Sequence, residues 1–143
     1  MKIERVEIFS IKVFKAVLRL LPQLASDADL PTEKFFKDFL KSNNSFFFIA
    51  KHDDGEIIGI LTIGIYIIPS GSKIWIEDVV VEETQRGKGY GRELVLFAIR
   101  FAKSIGAKKI GLTSKPIRVA ANKLYQELGF VKSETNVYKY LIK

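Results

Sequence analysis

The chain contains no cysteine, which removes disulfides, thiolate metal sites and a cysteine nucleophile at once. It has one histidine, His52, beside a hairpin turn. A metal site would need partners that the sequence does not show, so no metal is expected and His52 reads as a surface residue. No apolar run approaches the ~18 residues of a membrane span. The most apolar stretch, around 57–68, is broken by glycine, threonine and tyrosine and reads as strand. Met1-Lys2-Ile3-Glu4-Arg5 carries charges where a secretory leader needs an unbroken apolar core. These absences give the expectation of a cytoplasmic chain without membrane association.

Acidic residues are scarce in one half only. Residues 1–85 hold 10 Lys/Arg against 13 Asp/Glu, whereas residues 86–143 hold 13 against 3. A basic C-terminal half suggests a polyanionic partner: nucleic acid, a membrane surface or a phosphorylated cofactor. A solvated basic face is the plainer explanation. At 143 residues the chain fits one domain, 1–143, able to bury a core without staples.

Periodicity supplies the elements. Lys2–Phe9 alternates as a strand, and Ile11, Phe14, Val17, Leu18 and Leu21 recur at helical spacing up to Pro22. Residues 25–30 read as a loop. Thr32 caps a second helix with Phe35, Phe36, Phe39 and Leu40 as its buried stripe. Ser45–Lys51 and Glu56–Ile68 form strands around the turn signal Asp54-Gly55, and Lys73–Val81 follows Pro69-Ser70-Gly71. Phe46, Phe47 and Phe48 read as core strand rather than as a platform for stacking bases.

Leu94, Ala98, Phe101, Ala102 and Ile105 mark an amphipathic helix ended by Gly106. Lys108–Thr113 reads as a short strand. Ser114 and Pro116 open a fourth helix reaching about Leu128. From Gly129-Phe130 a closing strand pair leads to 136–142, with Tyr138 and Tyr140 on one face as packing residues.

The chemistry is concentrated in the run from Glu77 to Arg92. A strand ends in Arg86-Gly87-Lys88-Gly89-Tyr90-Gly91, and a helix begins there. Helix N-termini present unpaired N–H groups and partial positive charge, and glycines let backbone approach an anion closely. Together with Arg86, Lys88 and Arg92, this is a pyrophosphate site by its physics. It is not the phosphate loop of nucleotide hydrolases, because no Lys-Ser/Thr follows Gly91. It is not a dinucleotide loop either: the glycines run G-x-G-x-G, and the next strand offers no acid for a ribose hydroxyl.

Arg86-Gly87-Lys88-Gly89-Tyr90-Gly91 resembles the Q/R-x-x-G-x-G/A signature of the GNAT (GCN5-related N-acetyltransferase) superfamily, and Asn122 to Phe130 resembles its N-x-x-Y-x-x-x-G-F segment. The order of elements fits from Lys2 to Lys143. The resemblance implies an α/β (α+β) fold, a mixed central sheet of about six to seven strands flanked by about four helices. It implies acetyl-CoA as cosubstrate, with Val79, Val80 and Val81 serving the pantetheine arm and the acetyl carbonyl. The segment Arg86–Gly91 (Arg86, Gly87, Lys88, Gly89, Tyr90, Gly91) would cradle the pyrophosphate, Asn122 would contact the cofactor, and Tyr125 would sit near its sulfur. The strand Ile76–Val81 also resembles that of glucosamine-6-phosphate acetyltransferases, over too few residues to assign a sugar.

The implied function is N-acetyl transfer to a primary amine, on a small molecule or a protein, by direct attack in a ternary complex. Freeing the lone pair of an amine of pKa ~10.4 at neutral pH costs about 4–5 kcal/mol, so a base is useful. Glu77 is favoured, with Asp78 second. Neighbours on a strand point to opposite faces unless a bulge re-aims one, and strands of this family carry a bulge here. Tyr125 is the candidate acid for the departing thiolate, and a backbone N–H near 79–81 is the oxyanion donor. The alternative on the same fold is a non-catalytic CoA-binding or sensing module. Nucleic acid is disfavoured as a partner, since no recognised binding motif is present. A homodimer is common in the family, but no interface can be read here.

Overall fold

The computed structural model describes residues 1–143, in two compact units, Met1–Leu112 and Thr113–Lys143. In the first, the elements run β1 (Lys2–Arg5), α1 (Ile11–Leu24), α2 (Glu33–Leu40), β2 (Ser45–Lys51), β3 (Ile57–Ile68), β4 (Gly71–Val81), a 3₁₀ turn Glu83–Gln85, and α3 (Tyr90–Ser104). The second holds α4 (Val119–Glu127).

The strands form one sheet in the order β1-β2-β3-β4, antiparallel throughout. Two short turns set the register. Asp54-Gly55 closes the β2–β3 hairpin through His52 N–H to the Glu56 carbonyl, with Gly55 at φ 88°. Pro69-Ser70 joins β3 to β4, pairing Ile68 with Gly71.

Strand alternation places helices on both faces. Phe47 points to α1 and α2, where its ring meets Phe36 edge-on at 5.6 Å, and Phe36 in turn lies 5.7 Å from Phe14. Phe48 and Phe46 point the other way and meet α3, Phe48 at 4.8 Å from Phe97 and Phe46 at 5.2 Å from Phe101. Leu20, Ile58, Ile60, Leu61, Ile63 and Leu94 are fully enclosed. Each such side chain contributes roughly 1.5–3 kcal/mol by leaving water.

Helix ends follow local chemistry. Ser10 Oγ accepts from Val13 N–H at 3.2 Å, and Thr32 Oγ1 from Phe35 N–H at 3.1 Å. Pro22 does not end α1, which runs on to Leu24. It lies in the last turn, where only the Leu18 carbonyl loses its partner, and Ala25 N–H regains the pattern on Leu21. Phe35, expected in the buried stripe of α2, is 66% exposed, and Phe36 carries the burial.

The sheet is smaller than the six to seven strands expected. Lys108–Thr113 is reduced to a parallel bridge between Trp75 and Gly111, held by Ile76 N–H to Gly111 O and Gly111 N–H to Ile74 O, both 2.9 Å. The closing pair after Gly129 does not form: 129–143 has no strand, and Val137, Tyr138, Tyr140, Leu141 and Ile142 are all exposed. Strand propensity acts through packing against neighbours, and these side chains bury no area that would stabilise a ladder. The fourth helix begins at Val119 rather than at Ser114.

Gly111 is a packing position. A Cβ there would sit 2.8 Å from Trp75 Cζ3. Gly111→Ala is therefore expected to destabilise the protein by about 1–3 kcal/mol, read as a lower urea midpoint with the slope unchanged.

Candidate active site

The site begins with an irregularity in β4. Thr62 pairs with Glu77 and Ile60 with Val80, so Leu61 opposes both Asp78 and Val79. This is a β-bulge, and Asp78 within it has φ 46°, a left-handed conformation that no other non-glycine residue adopts here. Aspartate tolerates that region better than most residues, and a bulge re-aims side chains. The result separates the two candidate bases. Asp78 lines a cavity of about 500 Å³, beside Thr62, whereas Glu77 is not on its wall.

Both carboxyls are held above the usual carboxylate range. Burial is the cause at Asp78; at Glu77 it is burial first and then the charge of Asp78. Both residues are exposed, but the surrounding protein displaces enough water to disfavour charge. Neither is tied up in a hydrogen bond or ion pair. Two unpartnered carboxylates with raised proton affinity, one facing a cavity, are suited to accepting a proton.

Beyond the bulge, Val80 is buried against Ile60, and Val79 and Val81 are half-buried. β4 is the edge of the sheet, and from Glu77 to Val81 no strand pairs with its outer side. Apart from the Val81 carbonyl, which accepts from Arg86, its outward backbone groups there are open to a ligand that lies along the strand.

The glycine loop follows. Gly87 and Gly89 have φ of 78° and 86°, and a Cβ at either would meet no atom within 4 Å. Internal packing thus does not require glycine at these positions; the backbone turn does, and the space beside it is left free. No side chain caps α3, whose N-cap is Gly89, and an uncapped helix N-terminus suits an anion. The loop fits a pyrophosphate.

A polar network fixes the loop to α1. Arg19 Nε reaches Glu82 Oε2 at 2.8 Å and its Nη2 the Ile57 carbonyl at 2.7 Å. Gln23 donates to Glu82 Oε1 at 2.8 Å and accepts from Glu83 N–H at 2.7 Å. Arg86 donates to the carbonyls of Val81, at 3.1 Å, and Gln23, at 3.3 Å. Burial alone would raise the Glu82 carboxyl, but the hydrogen bonds from Arg19 and Gln23 and the Arg19 charge outweigh it and hold the group below its ordinary value. His52 is not a plain surface residue. Its Nε2 lies 3.1 Å from Gln85 Oε1, which also accepts from Lys88 Nζ at 3.0 Å, and its ring meets Tyr90 edge-on at 5.5 Å. Sequence reasoning missed the roles of Arg19, Gln23 and Glu82, whose partners lie about 60 positions away, and of Gln85, 33 from His52, because such separations leave no periodic signal.

In the second unit, Tyr125 packs edge-on against Phe130 at 5.9 Å. Burial pushes its hydroxyl above the usual tyrosine value, and the Arg118 charge partly opposes this. The Asn122 amide donates to the carbonyls of Lys115 and Arg118, both at 2.9 Å. It thereby holds the turn into α4 and keeps its oxygen for another partner. Ser114 Oγ is buried without a hydrogen-bond partner.

The sequence profile of the Acetyltransferase (GNAT) family matches residues 13–130. The chain belongs to the GNAT family. It is 28% identical over 116 residues to N-acetyltransferase family 8 member 3 of Rattus norvegicus, covering 80% of this chain and 48% of that protein. It is 30% identical over 124 residues to a probable glucosamine 6-phosphate N-acetyltransferase of Drosophila melanogaster, covering 82% and 55%. The GNAT chain thus spans about half the length of these relatives. The fold is shared with an aminoglycoside acetyltransferase from an uncultured soil metagenomic sample, solved in complex with sisomicin, at a TM-score of 0.86 and 19% identity, over 99% of this chain and 96% of that one. No helix is long and apolar enough to cross a membrane, and no cluster of His, Asp or Glu could hold a metal.

Proposed function

We propose that this GNAT chain, read as one domain over 1–143, is an acetyl-CoA-dependent N-acetyltransferase that acetylates a primary amine in a ternary complex. The observation that carries the reading is the juxtaposition along β4 and α3. A bulge aims a carboxylate of raised proton affinity into a cavity, and a glycine loop with an uncapped helix follows eight residues downstream.

Acetyl-CoA supplies the acetyl group as an activated thioester. The chain's part is binding, orientation and proton transfer. Gly87, Gly89 and the first turn of α3 hold the pyrophosphate, assisted by Lys88, Tyr90 and Gly91. Arg86 secures the loop from behind through Val81 and Gln23. The open edge at Val79–Val81 offers N–H groups and the Val79 carbonyl to the pantetheine arm and a donor to the oxyanion, the Val81 carbonyl being taken by Arg86. Asp78 removes the ammonium proton of the acceptor, its proton affinity raised by burial. The carboxylate's raised pKa narrows the gap to the amine's ~10.4, part of the 4–5 kcal/mol that deprotonation costs. The family resemblance assigns Tyr125 to protonate the thiolate. Its burial keeps the phenol protonated at neutral pH, and donation to a thiolate of pKa ~8.5 is uphill by only about 2 kcal/mol from an ordinary tyrosine.

Tyr125→Phe tests the proton-donor role. The variant is expected to lose about 10–100-fold in kcat while its acetyl-CoA affinity stays within about twofold. Steady-state thiol release alongside calorimetric titration with CoA separates the two quantities. Unchanged kcat would remove Tyr125 from the mechanism.

A further inference from the structure

The cavity beside Asp78 has a composition that selects among amines. Its body is aliphatic and aromatic: Val17 and Leu21 from α1, Phe36 and Phe39 from α2, and Phe47 and Ile60 from the sheet. Leu30 and Phe35, half or more exposed, stand at its wall with Pro31. The polar groups are two carboxylates, Asp29 and Asp78, and the hydroxyls of Thr32 and Thr62. No lysine or arginine lines it.

Each of these facts excludes something. A phosphate brought into this space would meet two carboxylates and no cation, in surroundings that strengthen repulsion. A sugar or aminocyclitol carries hydroxyls on every side, and the aromatic wall would leave most of them without partners. A compact apolar body with one cationic amine meets no such penalty. Its hydrocarbon replaces water against the phenylalanines, and its ammonium is drawn by Asp29 and Asp78. Aromatic faces add to the attraction for a cation. A volume of about 500 Å³ falls within the range of small-molecule sites.

We propose that the acceptor is a primary amine on an uncharged aromatic or alkyl body, held in this cavity with its nitrogen at Asp78. The assignment rests on the acetyltransferase reading above and names the substrate class it serves. The exposed Phe35 is then a specificity residue: it contributes little to the fold and closes over the apolar end of the acceptor.

The test uses the full chain with 2-phenylethylamine, octylamine, glucosamine 6-phosphate and sisomicin, scored by thiol release from acetyl-CoA. 2-Phenylethylamine and octylamine are expected to have kcat/KM values at least ~100-fold above those of the two polar amines. Phe35→Ala should raise KM for 2-phenylethylamine about tenfold and leave KM for acetyl-CoA unchanged. Binding of 2-phenylethylamine to the protein alone is measured by calorimetry, and thermal stabilisation by acetyl-CoA is measured in parallel. Stabilisation by acetyl-CoA with equal or preferred turnover of a polar amine overturns the cavity assignment and leaves the transferase reading standing. Loss of acetyl-CoA stabilisation overturns the transferase reading. Absence of 2-phenylethylamine binding overturns the cavity assignment in either case.

Discussion

Replacing Asp78 with asparagine is expected to lower kcat at neutral pH by about 10²–10⁴-fold, the usual worth of a general base, while the melting temperature rises. The two effects have one origin. Burial lifts the Asp78 carboxyl above its ordinary range, so the folded state holds this proton more tightly than the unfolded chain does. The stabilising contribution is therefore fully present below the unfolded pKa of ~3.9 and is lost as pH rises through the folded value. At neutral pH the ionised carboxylate is a cost to the fold that a neutral amide removes. Asparagine also accepts the left-handed φ of 46° at this position, whereas Asp78→Ala would add backbone strain and confuse the comparison. The wild-type kcat/KM should climb with pH on a limb lying above the ordinary aspartate range, and this limb should be missing from Asp78→Asn. Glu77→Gln, which alters a carboxylate off the cavity wall, should cost much less activity. Equal losses from the two variants would return the base role to Glu77.

The second large effect concerns the loop. Gly89→Glu is expected to weaken acetyl-CoA binding by about 10³-fold. Two contributions can be separated. Gly89 has φ 86°, and an L-residue there costs about 1–2 kcal/mol, which appears as a lower melting temperature without ligand. The carboxylate enters space that is empty of protein and stands against a pyrophosphate. Like charges about 4 Å apart repel by ~4 kcal/mol at the effective dielectric of a protein surface, which corresponds to ~10³ in affinity. Gly89→Ala shares the strain and lacks the charge, so it should melt lower while losing far less affinity. If both variants bind acetyl-CoA as the wild type does, the anion site lies elsewhere.

What could be read in the sequence was what local physics determines. Ser45–Lys51 was legible as a strand to its ends, because its alternating faces meet different helices and a turn signal follows directly. Thr32 declared itself as a cap, and the spacing of Gly87 and Gly89 declared a loop with left-handed turns. Features that depend on tertiary context were not legible. The family resemblance implies a bulge at Glu77 and Asp78, but which carboxylate it carries to a cavity depends on the register opposite Leu61, which places Asp78 there. The acceptor cavity draws its wall from α1, the 29–32 loop, α2 and three strands, so no window of sequence contains it. The Arg19–Gln23–Glu82 network joins a helix to a strand end about 60 residues away. The C-terminal segment shows the opposite failure: β-branched and aromatic residues near 137–142 suggest a strand, but with their side chains exposed no burial supports one.

In the proposed reaction one molecule of acetyl-CoA and one amine react at this site without an acyl-enzyme. The direct measurement is the stoichiometry of a reaction run with acetyl-CoA and 2-phenylethylamine, quantifying N-acetyl amine, free CoA thiol and acetylated protein by mass spectrometry. Equal amounts of N-acetyl amine and thiol are expected, with no acetyl group on the protein and no thiol release when the amine is omitted. Acetyl-CoA binding with no release of CoA thiol in the presence of any primary amine would contradict this reaction and leave the chain as a CoA-binding module on the same fold.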